Sequence, residues 1–179
     1  MRSEVPSATP AWALALALTA AGLAGCAESI KPVDQPSFYQ SLAQPNAAVD
    51  ANAAASMISG YRANNGLPAV TVDAQLMQLA DAQARAMAAR NKVDQNLGGA
   101  FTVRLKRAGY QGKTAAENVS AGYHTLAEAF SGWRDSPPHR ANMLLKGATK
   151  MGIAAVFAPG SKYKVFWSLI LAEPDDWRG

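Results

Sequence analysis

The chain has one cysteine, Cys26, and two histidines, His124 and His139, among 179 residues. A single cysteine excludes an internal disulfide and any cysteine-rich metal site, so a folded domain here stands on its apolar core alone. Charge is sparse as well, at 17% of residues with a net of +4. Lys and Arg are scattered without a dense run, and the few aromatics do not interleave with them, which excludes an extended nucleic-acid surface. Internal repeats are missing. So is an apolar run long enough to span a bilayer, because the stretch 11–24 is too short for a permanent membrane helix. What is present is a chain that is 49% hydrophobic and long enough to bury a substantial core.

The apolar stretch follows Arg2 and ends in Leu23-Ala24-Gly25-Cys26, which reads as a secretory signal over residues 1–26. LAGC resembles the lipobox of bacterial lipoproteins, whose cysteine is acylated, with palmitate among the chains, and becomes the new N-terminus. The resemblance implies an anchor at Cys26 and a membrane partner reached through it. At about 0.8 kcal/mol for each buried methylene, a multiply acylated cysteine is held almost permanently. Ala27, rather than Asp, is similar to the pattern for outer-membrane sorting in Gram-negative bacteria. The expectation is export across the inner membrane and lipid anchoring in the outer membrane, facing the periplasm or the cell surface. Cleavage removes Arg2 and Glu4 and leaves the net charge unchanged, which suits anionic envelope polymers or lipid head groups.

Residues 27–46 carry Pro32, Pro36 and Pro45 among polar residues without a sustained period, as a tether would. Twenty flexible residues reach about 25 Å. Within them FYQSLAQ is apolar enough to dock locally, and 47–179 is read as one domain. Apolar spacing predicts a helix over 47–62, stopped by Asn64-Asn65-Gly66, and a second opened by an Asp73 cap with Leu76, Leu79, Ala80, Ala84 and Met87 on one stripe. A third covers 101–108, with Phe101, Leu105 and Ala108 inward and Gly109 as its stop. Thr125 and Glu128 form a capping box ahead of Leu126, Ala129, Phe130 and Trp133. The period then changes to two: Met151, Ile153, Ala155 and Phe157, then Tyr163, Val165, Trp167, Leu169 and Leu171, around the turn Pro159-Gly160-Ser161. With a short apolar segment at 67–72, these elements indicate an α+β domain, helices covering a small antiparallel sheet.

Three segments in this order, GLPAVTVDAQLMQLADAQARAMAARN, AENVSAGY and WRDSPPHRANMLLKGATKMGIAA, resemble the bacterial branch of the CAP superfamily, the SCP or cysteine-rich secretory protein domain. The likeness covers about 50–172. It implies an α-β-α sandwich, a secreted or extracellular location, and a shallow cleft that often holds two histidines and one or two acids. By motif, Glu117 matches the acid of the Glu-Asn segment and His139 the second histidine. Gln95 stands where the first histidine is expected, Ser136 where the second acid is, and Pro138 where glycine is usual.

These departures bear on chemistry. Zinc takes three or four N, S or O ligands, whereas Glu117 and His139 supply two, so neither metal nor other cofactor is expected and Gln95→His should raise zinc affinity. His124 precedes a helix cap and reads as a solvated loop residue. His139 hydrogen-bonded to Glu117, within about 6 Å, would have a raised pKa and could serve as a general base, but the same bond suits a buried histidine. Ser136 could be a nucleophile beside His139, without an identifiable oxyanion donor. Asn118 reads as tying a turn, Trp133 as core, and Arg140 and Asn142 as facing a ligand or satisfying backbone. Binding is therefore expected over catalysis: a lipid, sterol-like, amphipathic or glycan-like ligand, or a protein partner, in a cleft of Gln95, Glu117, His139, Arg140 and Asn142. The alternatives are a hydrolase of peptide or peptidoglycan with His139 as base, and an interaction protein with a vestigial cleft. The sequence sets no oligomeric state.

Overall fold

The computed structural model describes residues 35–175, so the expected signal and Cys26 anchor lie outside the described residues. Along the chain, after a 3-10 turn at Ser37–Tyr39, come α1 (Ala51–Ala63), β1 (Thr71–Val72), α2 (Ala74–Arg90), α3 (Phe101–Arg107), β2 (Ala115–Ala121), α4 (Leu126–Asp135), α5 (Pro137–Met143), β3 (Lys150–Phe157) and β4 (Val165–Ala172).

The last strand organises the layers. All of β4 is buried, and the two-residue period of a strand sends its side chains to opposite faces. Val165, Trp167, Leu169 and Leu171 join Ile58 of α1, Ala129 and Trp133 of α4, and Met143 of α5. Ile170 and Ala172 join Leu76, Ala80 and Ala84 of α2 and Leu105 of α3. The result is the expected α+β sandwich, with α1, α4 and α5 on one face of the sheet and α2 and α3 on the other. Gly152 of β3 makes the second contact close: a Cβ there would stand 2.1 Å from the backbone carbon of Leu76. Only glycine admits α2 at that distance.

The sheet order is β1-β3-β4-β2. The predicted β3-β4 hairpin is antiparallel, and β2 pairs antiparallel with β4, but β1 runs parallel to β3, with Thr71 opposite Lys150. The sheet is therefore mixed rather than antiparallel throughout, because the long excursion between β1 and β3 lets the chain return in the same direction.

Caps fix the helix ends. The Asp50 carboxylate accepts from the N–H groups of Asn52 and Ala53, so α1 begins at Ala51 and not at 47. Asp73 caps α2 in the same way, and the Thr125–Glu128 capping box opens α4. Pro137 and Pro138 occupy the first turn of α5, where their missing N–H groups need no partner. FYQSLAQ docks: Leu42 is buried in the first core and its N–H donates to the carbonyl of His124 at 2.7 Å.

Candidate functional site

The segment AENVSA, in which Asn118 is expected to tie a turn after Glu117, is strand β2 at the outer edge of the sheet. It lacks apolar alternation because its side chains are spent on polar contacts with both helical layers. Glu117, only 3% exposed, points toward α3. Its carboxylate accepts from Arg104 Nη1 at 3.3 Å and Nη2 at 2.6 Å, and from Ser168 Oγ at 3.0 Å. Arg104 also donates to the carbonyls of Gly99 and Gln95, at 3.2 and 3.1 Å. A buried carboxylate is costly unless paired and hydrogen-bonded, and this one is both. Sequence reasoning misses Arg104. The signal that could have found it is its place on the inner stripe of α3, three residues after Phe101 and directly before Leu105.

The next residue faces the other way. Asn118 Nδ2 donates to the His139 carbonyl at 3.0 Å, and Ser120 Oγ accepts from Trp133 Nε1 at 3.1 Å. Asn142 Nδ2 donates to Asn118 Oδ1 at 2.8 Å and to the Glu117 carbonyl at 3.2 Å, where Gln95 Nε2 also arrives at 3.1 Å. Two amides thus satisfy an edge carbonyl that has no neighbouring strand. Gln95, Asn142 and the backbone of Glu117 do come together, as does Asn118, which ties two elements rather than a turn.

The expected Glu117–His139 hydrogen bond is not formed among the described residues. Strand alternation sends the carboxylate to the α2/α3 side, while His139 sits on α5 across the sheet edge. The pKa expectation reverses with it: burial, with no anionic partner, holds the half-buried imidazole below its ordinary value. Ser136 caps α5 by position only, its hydroxyl making no cap bond and none to His139. Arg140 is exposed on the same helix, and His124 is exposed on its loop, its backbone N–H donating to Glu128 Oε2 at 2.6 Å.

Among the described residues no three His, Cys, Asp or Glu side chains cluster as a metal site. The residues present do not fit zinc for a positive reason: the Arg104 guanidinium holds the one carboxylate, and the Gln95 amide nitrogen is turned onto a carbonyl. The expected gain from Gln95→His therefore loses its second ligand.

A sequence model of the Cysteine-rich secretory protein family, CAP, matches residues 55–171. The chain belongs to the CAP family. The matched span contains no cysteine. The uncharacterized protein YkwD of Bacillus subtilis (strain 168) is 30% identical over 103 residues, 56% of this chain and 40% of that protein. This chain therefore spans well under half of that relative's length. Among solved structures, an extracellular protein containing a SCP domain from Bacillus anthracis superposes with a TM-score of 0.60 at 22% identity, over 69% of this chain and 40% of that one. An outer surface protein from Borrelia burgdorferi superposes with 0.61 at 16% identity, over 71% of this chain and 97% of that one. These likenesses extend the CAP fold to the described domain.

Proposed function

We propose that this CAP domain is an exported binding domain, lipid-anchored through Cys26, that holds a ligand without transforming it. The observation that carries the reading is the commitment of Glu117 to Arg104 and Ser168, which leaves His139 without the acid that would orient a general base. Next to the Glu117 carbonyl, where the Gln95 and Asn142 amides meet, α5 carries the half-buried His139 and the exposed Arg140, an imidazole and a cation suited to a glycan-like or amphipathic ligand, or to a polar protein surface. The extracellular and surface placement named for the two structural relatives supports export, and LAGC supports the anchor. The part of residues 27–46 that precedes the docked FYQSLAQ segment serves as the link to the membrane.

The test is a titration of the full chain, by calorimetry, with soluble peptidoglycan fragments and with a mild amphiphile. Saturable binding that His139→Ala or Arg140→Ala weakens by about tenfold, the equivalent of one good hydrogen bond, is expected. Turnover of peptide or peptidoglycan that His139→Ala abolishes would overturn the reading in favour of a hydrolase.

A further inference from the structure

The two ends of β2 fix which of its backbone groups face outward. The Glu173 N–H donates to the Thr114 carbonyl at 2.9 Å, and the Gly122 N–H to the Val165 carbonyl at 3.0 Å. The register runs unbroken between them, from Ala115 opposite Ala172 to Ala121 opposite Phe166, so the even-numbered residues bond to β4. Ala115, Glu117, Val119 and Ala121 therefore turn both backbone groups to the open edge. The Glu117 carbonyl there is taken by the Gln95 and Asn142 amides. That cover stops at Glu117: among the described residues nothing hydrogen-bonds the outward N–H or C=O of Val119 or Ala121. Folded proteins blunt an open edge with proline, a charge or a bulge, and Val119-Ser120-Ala121 has none of these. Val119 and Ala121 are only half-buried. Just beyond them, a Cβ on Gly122 would stand 3.8 Å from the ring of Tyr163, and Lys162 Nζ lies 4.9 Å from the centre of that ring. Lys162 is exposed and has no carboxylate in ion-pair range among the described residues.

We infer that the edge of β2 from Val119 to Ala121 takes an extended peptide by strand addition, with an acidic side chain of the peptide placed toward Lys162. The inference rests on the binding reading of the neighbouring α5 and names the ligand as a peptide segment. Val119 and Ala121 stand about 6.6 to 6.8 Å apart along the strand, each offering one donor and one acceptor. Another extended backbone repeats its donors and acceptors at that spacing and can pair all four groups at once. The Gln95 and Asn142 amides close the ladder at Glu117, and the cation stands at the opposite end. Charge at one end and a stop at the other set the register of the added strand.

The probe is a pentapeptide of alternating valine and glutamate with blocked ends, titrated into the full chain. Amide exchange followed by nuclear magnetic resonance should slow about tenfold at Val119 and Ala121 on saturation, while Asn118 and Ser120, already bonded to β4, stay unchanged. Calorimetry should find about tenfold weaker binding to Val119→Pro, which loses one outward donor and no bond to β4. Lys162→Gln should bring the glutamate peptide down to the affinity of its glutamine counterpart. Absence of saturable binding, or slowing that falls on odd and even positions alike, would overturn the strand addition. Soluble peptidoglycan fragments or an amphiphile that still bind through His139 in that event would leave the binding reading of α5 standing and rule out the peptide alone. Far-ultraviolet circular dichroism separates lost binding from lost folding in Val119→Pro, and the exchange pattern of the unmodified chain decides without any variant.

Discussion

At residue scale the decisive fact is where the Glu117 charge goes. With Arg104 gripping both carboxylate oxygens and Ser168 adding a third bond, removal of one partner strands a charge in a dry site. Arg104→Met should cost about 3–5 kcal/mol in urea unfolding, and the double variant Arg104→Met/Glu117→Met much less than the sum, since both charges leave together. Additive losses would show that the pair does not act as a unit. Gln95→His should not create tight zinc binding, because Glu117 is already held by Arg104; sub-micromolar binding by that variant would contradict the pairing. His139 gives a pH signature. Its folded pKa lies below the unfolded value near 6.5, so the unfolded chain binds more protons and stability falls as pH drops below about 6.5. His139→Gln should flatten the denaturation midpoint between about pH 6.5 and 5, and an unchanged slope would count against the burial of the imidazole. Sequence made the two key positions visible through their motif, but not their partners. A carboxylate at a strand position can face either layer, and only the register of β2 against β4 decides.

At the scale of elements, the legible parts are those whose signals are local. The capping box at Thr125, the Asp73 cap and the alternation of β3 and β4 all rest on residues within a few positions of one another. The strand β2 was illegible because its identity comes from pairing with β4, and α5 because two prolines disguise a helix start. A further element-level device is Arg62, fully buried near the end of α1. Its guanidinium donates to the carbonyls of Pro68, Met143, Leu145 and Ala148, at 2.9, 2.9, 3.0 and 2.6 Å. One side chain thereby satisfies the C-terminal end of α5 and the loop leading to β3, and so holds the helix that carries His139 and Arg140. Arg62→Met keeps much of the volume and leaves these carbonyls without a donor, at a cost of about 3 kcal/mol or more. Hydrogen exchange should then accelerate in 137–148 before the strands open. Uniform acceleration across the domain would assign Arg62 to global stability instead of to α5.

At the scale of the whole molecule the question is whether the proposed Cys26 anchor holds it at a membrane. Among the described residues no helix is long and apolar enough to cross one, and the proposed anchor has to be told apart from a surface contact. A surface contact through scattered lysines and arginines is screened by salt, with a Debye length near 10 Å at about 0.1 M falling to about 3 Å at 1 M. Acyl chains are indifferent to salt and additive in methylenes, so two or more chains hold through a high-salt wash where charge alone lets go. This difference makes the anchor testable apart from the net charge of +4, which the exported chain would keep. The unmodified protein should stay in the membrane fraction at about 1 M salt and be released by detergent, with a mature mass raised by its acyl groups. Cys26→Ser should appear in the soluble fraction, without that added mass, and with the thermal unfolding of the domain unchanged. Retention of the Cys26→Ser protein through the salt wash, at the same mass as the unmodified chain, would remove the lipid anchor from the account.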